Sequence, residues 1–157
     1  MTTEPESTTE EHSLLLDDQL CFALYAASRA VTARYRPLLD ELDLTYPQYL
    51  VMLVLWDRGA ASVRDLGTAL QLESSTLSPL IKRLEAAGLV IRRRRPDDER
   101  SVVVSLTDAG RALQDRARRV PPAMADAMGL TPEQHRTAKA LLRRLTANVT
   151  GADTGTG

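Results

Sequence analysis

The run LCFALYAASR, residues 20–29, holds Cys21, the only cysteine of the chain, four residues before Tyr25. A thiol reacts with oxidants as its thiolate, and a phenol O–H one helical turn away stabilises that anion without adding a competing charge. A place near a helix N-terminus also favours the thiolate, while Asp17 and Asp18, one turn back, oppose it. The same pattern fits an apolar filler, which is what most lone cysteines on apolar helical faces are. The ten residues leave both readings open. His12 and His135 stand alone and read as solvated surface, so no metal site, triad or other cofactor is expected.

A second chemistry lies in the charge distribution. Residues 1–20 carry six acids and no Lys or Arg, whereas residues 62–95 carry seven bases against three acids, a local net of +4 on a chain whose total is −1. That asymmetry suits a cationic face meeting an anionic partner, although a solvated basic strand has the same composition. A single cysteine excludes an internal disulfide framework and points to a reducing cytoplasm. No apolar run approaches the ~20 residues of a membrane span, and the acidic, polar start MTTEPESTTEEH is not a signal peptide.

The elements that must position these groups are mostly helices. Asp17 or Asp18 caps a first helix to about residue 42 with Leu20, Leu24, Ala27 and Val31 in one stripe, which Pro37 should bend or end early. TYPQYLVMLVLWDRG reads as a buried helix opened by a Thr45/Gln48 capping box and stopped by Gly59. Ser62 and Asp65 open a short helix burying Val63, Leu66 and Leu70. The next is capped by Ser74 or Ser75, with Pro79 near its first turn, buries Leu77, Leu80, Ile81 and Leu84, and stops at Gly88. LVIRRRRPDDERSVVVSLT is a hairpin turning at PDDE. A helix follows Thr107 as far as Pro121-Pro122, and a last one runs from Thr131-Pro132 to about Asn148.

Two short helices followed by a basic hairpin make a winged helix-turn-helix, so the fold is mainly α with a small β-hairpin wing. Its second helix suits the major groove of double-stranded DNA. With the apolar face committed to the core, Ser74, Ser75, Thr76, Ser78, Pro79, Lys82 and Arg83 are left toward DNA, the two cations for phosphates. The wing adds Arg92, Arg94 and Asp98, with Arg100 at its tip for the minor groove.

The run LESSTLSPLIKRLEAAGLVIRRRRPDDERSVVVSLTDAGRAL resembles the DNA-binding core of the MarR family of winged-helix repressors: a Leu-Glu pair before Gly-Leu, a wing with Asp and Arg, and LTxxG opening the next helix. LDDQLCFALYAASRAVTARYRPLLDELDLTYPQYLVMLVLW is similar to its organic-hydroperoxide-sensing, OhrR-type branch. The resemblance implies a homodimer built on the first and last helices, an inverted-repeat operator, and an N-terminal sensing cysteine held by tyrosines, with Tyr35 and Tyr46 at the matching positions. If Cys21 and Tyr35 share one helix, the 14 residues between them span about 21 Å. A direct bond then needs a sharp fold or a second chain, and a two-fold dimer supplies two such sites.

The organisation expected is a disordered tail over 1–13, a MarR-like domain over 14–149 with a winged-helix core at about 45–106 and dimerisation helices at 14–43 and 107–149, and a disordered tail over 150–157. The function expected is a cytoplasmic repressor released from DNA when an organic hydroperoxide oxidises Cys21. Lacking a second cysteine, the sulfenic acid must meet a small external thiol, cyclise onto backbone nitrogen or oxidise further. Phe22, Leu24 and Met52 favour an organic peroxide. Two alternatives remain: a repressor released by a small aromatic or phenolic ligand, with Cys21 incidental, and a thiol peroxidase, which LLLDDQ disfavours by offering acids and no Thr, Pro or Arg before the cysteine.

Overall fold

The computed structural model describes residues 13–151. Most of both expected tails, and His12, fall outside the described residues, as do the side chains of Glu99 and Arg100. In chain order come α1 (Leu20–Asp40), α2 (Tyr46–Arg58), β1 (Ala60–Ser62), α3 (Val63–Leu70), α4 (Ser74–Ala86), β2 (Val90–Arg95), β3 (Asp98–Leu106), α5 (Asp108–Ala117), α6 (Val120–Met128) and α7 (Pro132–Thr150). They divide into two compact units, Met1–Val120 and Pro121–Gly157.

Several helix ends follow directly from their caps. Thr45 Oγ1 accepts from the Gln48 amide at 3.3 Å while Gln48 Oε1 accepts from the Thr45 amide at 2.9 Å, and Thr131 and Gln134 do the same for α7. Each pair satisfies two of the N–H groups that a helix start leaves unpaired. Ser62 Oγ accepts from the Asp65 amide to open α3, and Gly59 (φ 79°) stops α2.

Other boundaries depart from expectation. Asp17 and Asp18 do not cap α1; they lie in a 3-10 turn, Leu16–Asp18, whose own backbone bonds delay the helix until Gln19. Pro37 does not end α1, which continues to Asp40, because the carbonyl that the proline leaves unpaired belongs to exposed Ala33 and is open to solvent. The helix stops where Asp43 turns left-handed (φ 54°) and the Leu44 amide bonds back to Leu39 O at 3.1 Å. Glu73, not Ser74 or Ser75, precedes α4, and Pro79 sits in its second turn with its unmatched carbonyl on exposed Ser75. Pro121-Pro122 do not terminate a helix: they occupy the first turn of α6, where missing donors cost little. α7 runs to Thr150, capped by Gly151 (φ 67°).

The sheet has three strands, ordered β1-β3-β2, all antiparallel. Strand β1, absent from the sequence reading, places Ala61 opposite Val104. The wing turn is Pro96-Asp97 alone, and Asp98 already pairs with Arg95. Because Arg94 lies opposite Val102, residues 99–101 form a bulge in β3. Position 100 is therefore in the bulge and not at the tip.

The first unit's core joins Leu39, Val51, Met52 and Leu55 to Leu66, Leu77, Ile81 and Leu84 and to Val90 and Val104 under the sheet. Val63 and Leu70 are only half-buried. The start of α5 closes this core. Thr107 Oγ1 donates to Gly88 O at 2.6 Å and accepts from the Gly110 amide at 3.0 Å, while the Thr107 amide donates to Leu89 O at 3.1 Å. Gly110 is pressed so near this joint that an added Cβ would lie 2.1 Å from the Leu89 carbonyl oxygen.

Two faces stay open. In α1 only Leu39 is buried; of the stripe, Leu20 is 66% exposed, Ala27 is exposed, and Leu24 and Val31 are half-buried. In the second unit, α7 buries no residue, with Leu141 61% and Val149 78% exposed.

Gly110→Ala should destabilise the protein by about 2–3 kcal/mol, since backbone rather than a flexible side chain blocks the new methyl. Denaturant titration checks this, and a loss below about 0.5 kcal/mol would show that the two backbones separate freely.

Candidate redox centre and nucleic-acid interface

Helix α4 presents two faces. Leu77, Leu80, Ile81 and Leu84 are buried, and Ser74, Ser75, Thr76, Ser78, Pro79, Lys82 and Arg83 are all exposed. Neither Lys82 nor Arg83 forms an ion pair among the described residues, so both cations face solvent. An open groove of about 920 Å³ is walled by α3, the start of α4 and the wing, with Ser62, Arg64, Ser78, Arg92 and Asp98 on its sides.

The wing arginines do not act alike. Arg92 donates from Nε (3.2 Å) and Nη2 (3.0 Å) to Glu85 Oε1, and from its backbone amide to Oε2 (3.1 Å). One carboxylate at the end of α4 thus takes three donors from β2, and these bonds hold the Glu85 carboxyl below the usual carboxylate range. Arg92 therefore fastens wing to helix while still lining the groove toward which the sequence turns it. Arg94 shares a strand face with Arg92 by alternation. Asp98 faces the groove beside it. Position 100 places its backbone in β3, and its side chain lies outside the described residues.

The thiol and the tyrosines sit at opposite ends of α1. Cys21 is the second residue of the helix and exposed. Tyr25, one turn on, is also exposed, and Arg29 lies over its ring at 5.4 Å. Tyr35 is three-quarters of the way down the same unbroken helix, about 21 Å from Cys21 at ~1.5 Å per residue. There it meets the start of α2: its ring centroid is 4.7 Å from Tyr46 and 5.8 Å from Tyr49. Burial raises the pKa of all three phenols, that of Tyr49 to about 12, so they are neutral O–H groups near neutral pH. The fold joins Tyr35 to Tyr46 and keeps both from their own chain's cysteine.

Comparison with known proteins narrows what this arrangement is. A family described as transcriptional regulator SarA/Rot matches residues 33–117, more than half of the chain. The organic hydroperoxide resistance transcriptional regulator of Bacillus subtilis strain 168 is 50% identical over 106 residues, covering 68% of this chain and 72% of that protein. This chain belongs to the MarR/SarA-type family of winged-helix transcriptional regulators.

Other relatives agree. The regulator TtmR of Methylorubrum extorquens strain PA1 is 50% identical over 77% of this chain, which spans 62% of TtmR's own length. A structure of overoxidized AbfR bound to DNA is 35% identical and superposes with a TM-score of 0.72 over 85% of this chain and 94% of its own; AbfR comes from Staphylococcus epidermidis. An Escherichia coli MarR mutant complexed with operator DNA, 22% identical with a TM-score of 0.73, shares the fold. The relatives are regulators and not enzymes, so the thiol-peroxidase alternative falls. No helix among the described residues of this MarR-type regulator is long and apolar enough to cross a membrane.

The sequence reading of this regulator missed Tyr49 and Trp56. Tyr49, 3% exposed, follows Tyr46 by three residues on one face of α2, a spacing that could have revealed it. Trp56 gave no local signal, because its partner, the Gly110 carbonyl, is 54 residues away.

Two measurements test the interface. Lys82→Ala should lower the slope of log affinity against log salt by about 0.9 and weaken all DNA sequences alike; an unchanged slope removes Lys82 from phosphate contact. A lowered pKa means the Glu85–Arg92 contact is complete above the ordinary carboxylate range and lost as pH falls through the lowered value. Hydrogen exchange should show the Arg92 amide protected down to that range and exposed more strongly below it, with Glu85→Gln exposing it at neutral pH as well.

Proposed function

We propose that this regulator works as a cytoplasmic homodimeric repressor that binds an inverted-repeat operator when reduced and leaves it when an organic hydroperoxide oxidises Cys21. The observation that carries the reading is the uninterrupted α1, which separates Cys21 from the Tyr35–Tyr46–Tyr49 cluster by far more than a side chain can bridge. A second copy crossing on α1 brings one chain's thiol to the other's phenols, and the exposed apolar residues of α1 and α7 offer the area for such a dimer. Residues 14–43 and 107–149 are thus assigned to dimerisation and about 45–106 to DNA. The name of the Bacillus subtilis relative supports the effector class.

The chemistry needs only the peroxide. The Cys21 thiolate attacks one peroxide oxygen, the S–O bond forms as the O–O bond breaks, and the departing alkoxide takes a proton to leave as an alcohol. Sulfur loses two electrons and the peroxide gains them, leaving a sulfenic acid. The neutral phenols donate to the thiolate without charge repulsion. With no second cysteine in the chain, the sulfenic acid either condenses with a small external thiol or cyclises onto a backbone nitrogen, releasing water in each case, or is oxidised further by more peroxide. Each product is bulkier or more polar than a thiol in an apolar interface.

On the DNA side, Ser74, Ser75, Thr76, Ser78, Pro79, Lys82 and Arg83 of α4 meet the major groove, and Arg94, Asp98 and Arg100 of the wing lie beside it. Arg92 contributes by holding the wing in place.

Cys21→Ser should bind operator as tightly as the reduced wild type and keep it after organic hydroperoxide, while the wild type weakens at least about tenfold. A mutant that cannot bind DNA when reduced would make Cys21 structural, and a wild type that ignores peroxide would end the sensing role.

A further inference from the structure

Trp56, the only tryptophan of the chain, takes no part in either half of the site described so far. It stands on α2 seven residues after Tyr49, two turns along the same face. Its ring meets that of Tyr49 edge-on at 6.4 Å, and its Nε1–H donates to the Gly110 carbonyl at 2.9 Å. Tyr49 in turn packs 5.8 Å from Tyr35 and 6.4 Å from Tyr46. A continuous set of contacts therefore runs from the tyrosines to the first turn of α5.

Gly110 is a place where movement cannot be absorbed locally. Its Cα faces the Leu89 carbonyl with no room for a methyl, and its amide is held by Thr107, which also binds Gly88 and Leu89. Gly88 and Leu89 join α4 to β2, and Thr107 joins β3 to α5. Any shift of Gly110 displaces the point from which α4 and both wing strands leave. At the other end Tyr49 is almost fully buried, so it cannot be displaced without moving the rings around it. An indole suits the position because it offers a broad apolar ring to Tyr49 and a polar N–H to a backbone carbonyl.

We infer that Trp56 is a positioning residue that transmits a change at the Tyr35–Tyr46–Tyr49 cluster through Gly110 to the base of the wing. The inference rests on Cys21 acting as the sensor against those tyrosines. It assigns the response of DNA affinity to one hydrogen bond and one ring contact inside the first unit, apart from any change in dimer spacing.

The test compares full-length wild type, Trp56→Phe and Cys21→Ser on a duplex selected from a random pool by the reduced wild type, before and after cumene hydroperoxide, with Cys21 oxidation followed by mass. Trp56→Phe keeps the ring and removes the donor. Reduced affinities of wild type and Trp56→Phe should agree within about threefold, while the ratio of oxidised to reduced Kd should shrink at least about fivefold in Trp56→Phe. In the wild type, Trp56 emission should change in step with Cys21 oxidation and stay constant in Cys21→Ser. A Trp56→Phe protein whose Kd ratio equals the wild-type ratio overturns the inference, as does wild-type emission that is unmoved while Cys21 oxidises. If Trp56→Phe does not fold, the emission of wild type and Cys21→Ser decides alone. A wild type that holds DNA with Cys21 fully oxidised overturns the sensing role and the inference together. Failure of the relay alone looks different, because the wild type then releases DNA.

Discussion

The approach of the α5 backbone to the Leu89 carbonyl fixes the junction at which α4, the wing strands and α5 meet. Gly110 can sit there because it has no side chain, and Thr107 fixes the contact by using its hydroxyl as donor and acceptor at once. From that joint α4 leaves in one direction and the wing strands in another. The exposed Ser, Thr, Lys and Arg of α4 and the basic wing inherit their relative orientation from a backbone contact, and Glu85 adds a second brace further out by gripping Arg92.

The second governing feature is the stiffness of α1. The continuous helix from Leu20 to Asp40 acts as a spacer of fixed length between Cys21 and the Tyr35–Tyr46–Tyr49 cluster. In the proposed function the thiol and the phenols meet only on association, because within one chain α1 holds them apart. The open apolar faces of α1 and α7 belong to the same logic, since each is unfinished within one chain.

Much of this was legible in the sequence where the determinants are local. Capping boxes at Thr45 and Thr131, the stop at Gly59 and the buried face of α4 follow from spacing of a few residues. The failures share a cause in the opposite direction. Pro37 and the Pro121-Pro122 pair are expected as breaks and Pro79 near a first turn, but α1 continues past Pro37 and α4 past an interior Pro79, where the stranded carbonyls belong to exposed residues, and Pro121-Pro122 fall in a first turn. Strand β1 is too short to show alternation and exists because β3 offers it an edge. For the site, the exposed polar face of α4 followed from amphipathicity, while Arg92's engagement with Glu85 and the place of Trp56 depend on tertiary partners that spacing does not reveal.

Ser62 closes β1 and at the same time caps α3, so strand and helix meet with no intervening loop. Gly59 alone separates α2 from that strand. Between Arg58 and Val63 the chain has no slack to give. Descendants of this sequence can lengthen or shorten at the wing turn or beyond the last helix, but an added or lost residue here would rotate α3 by a large part of a turn against the sheet. Substitution is the change this stretch accommodates at least structural cost, and its length shapes the architecture as much as any side chain does.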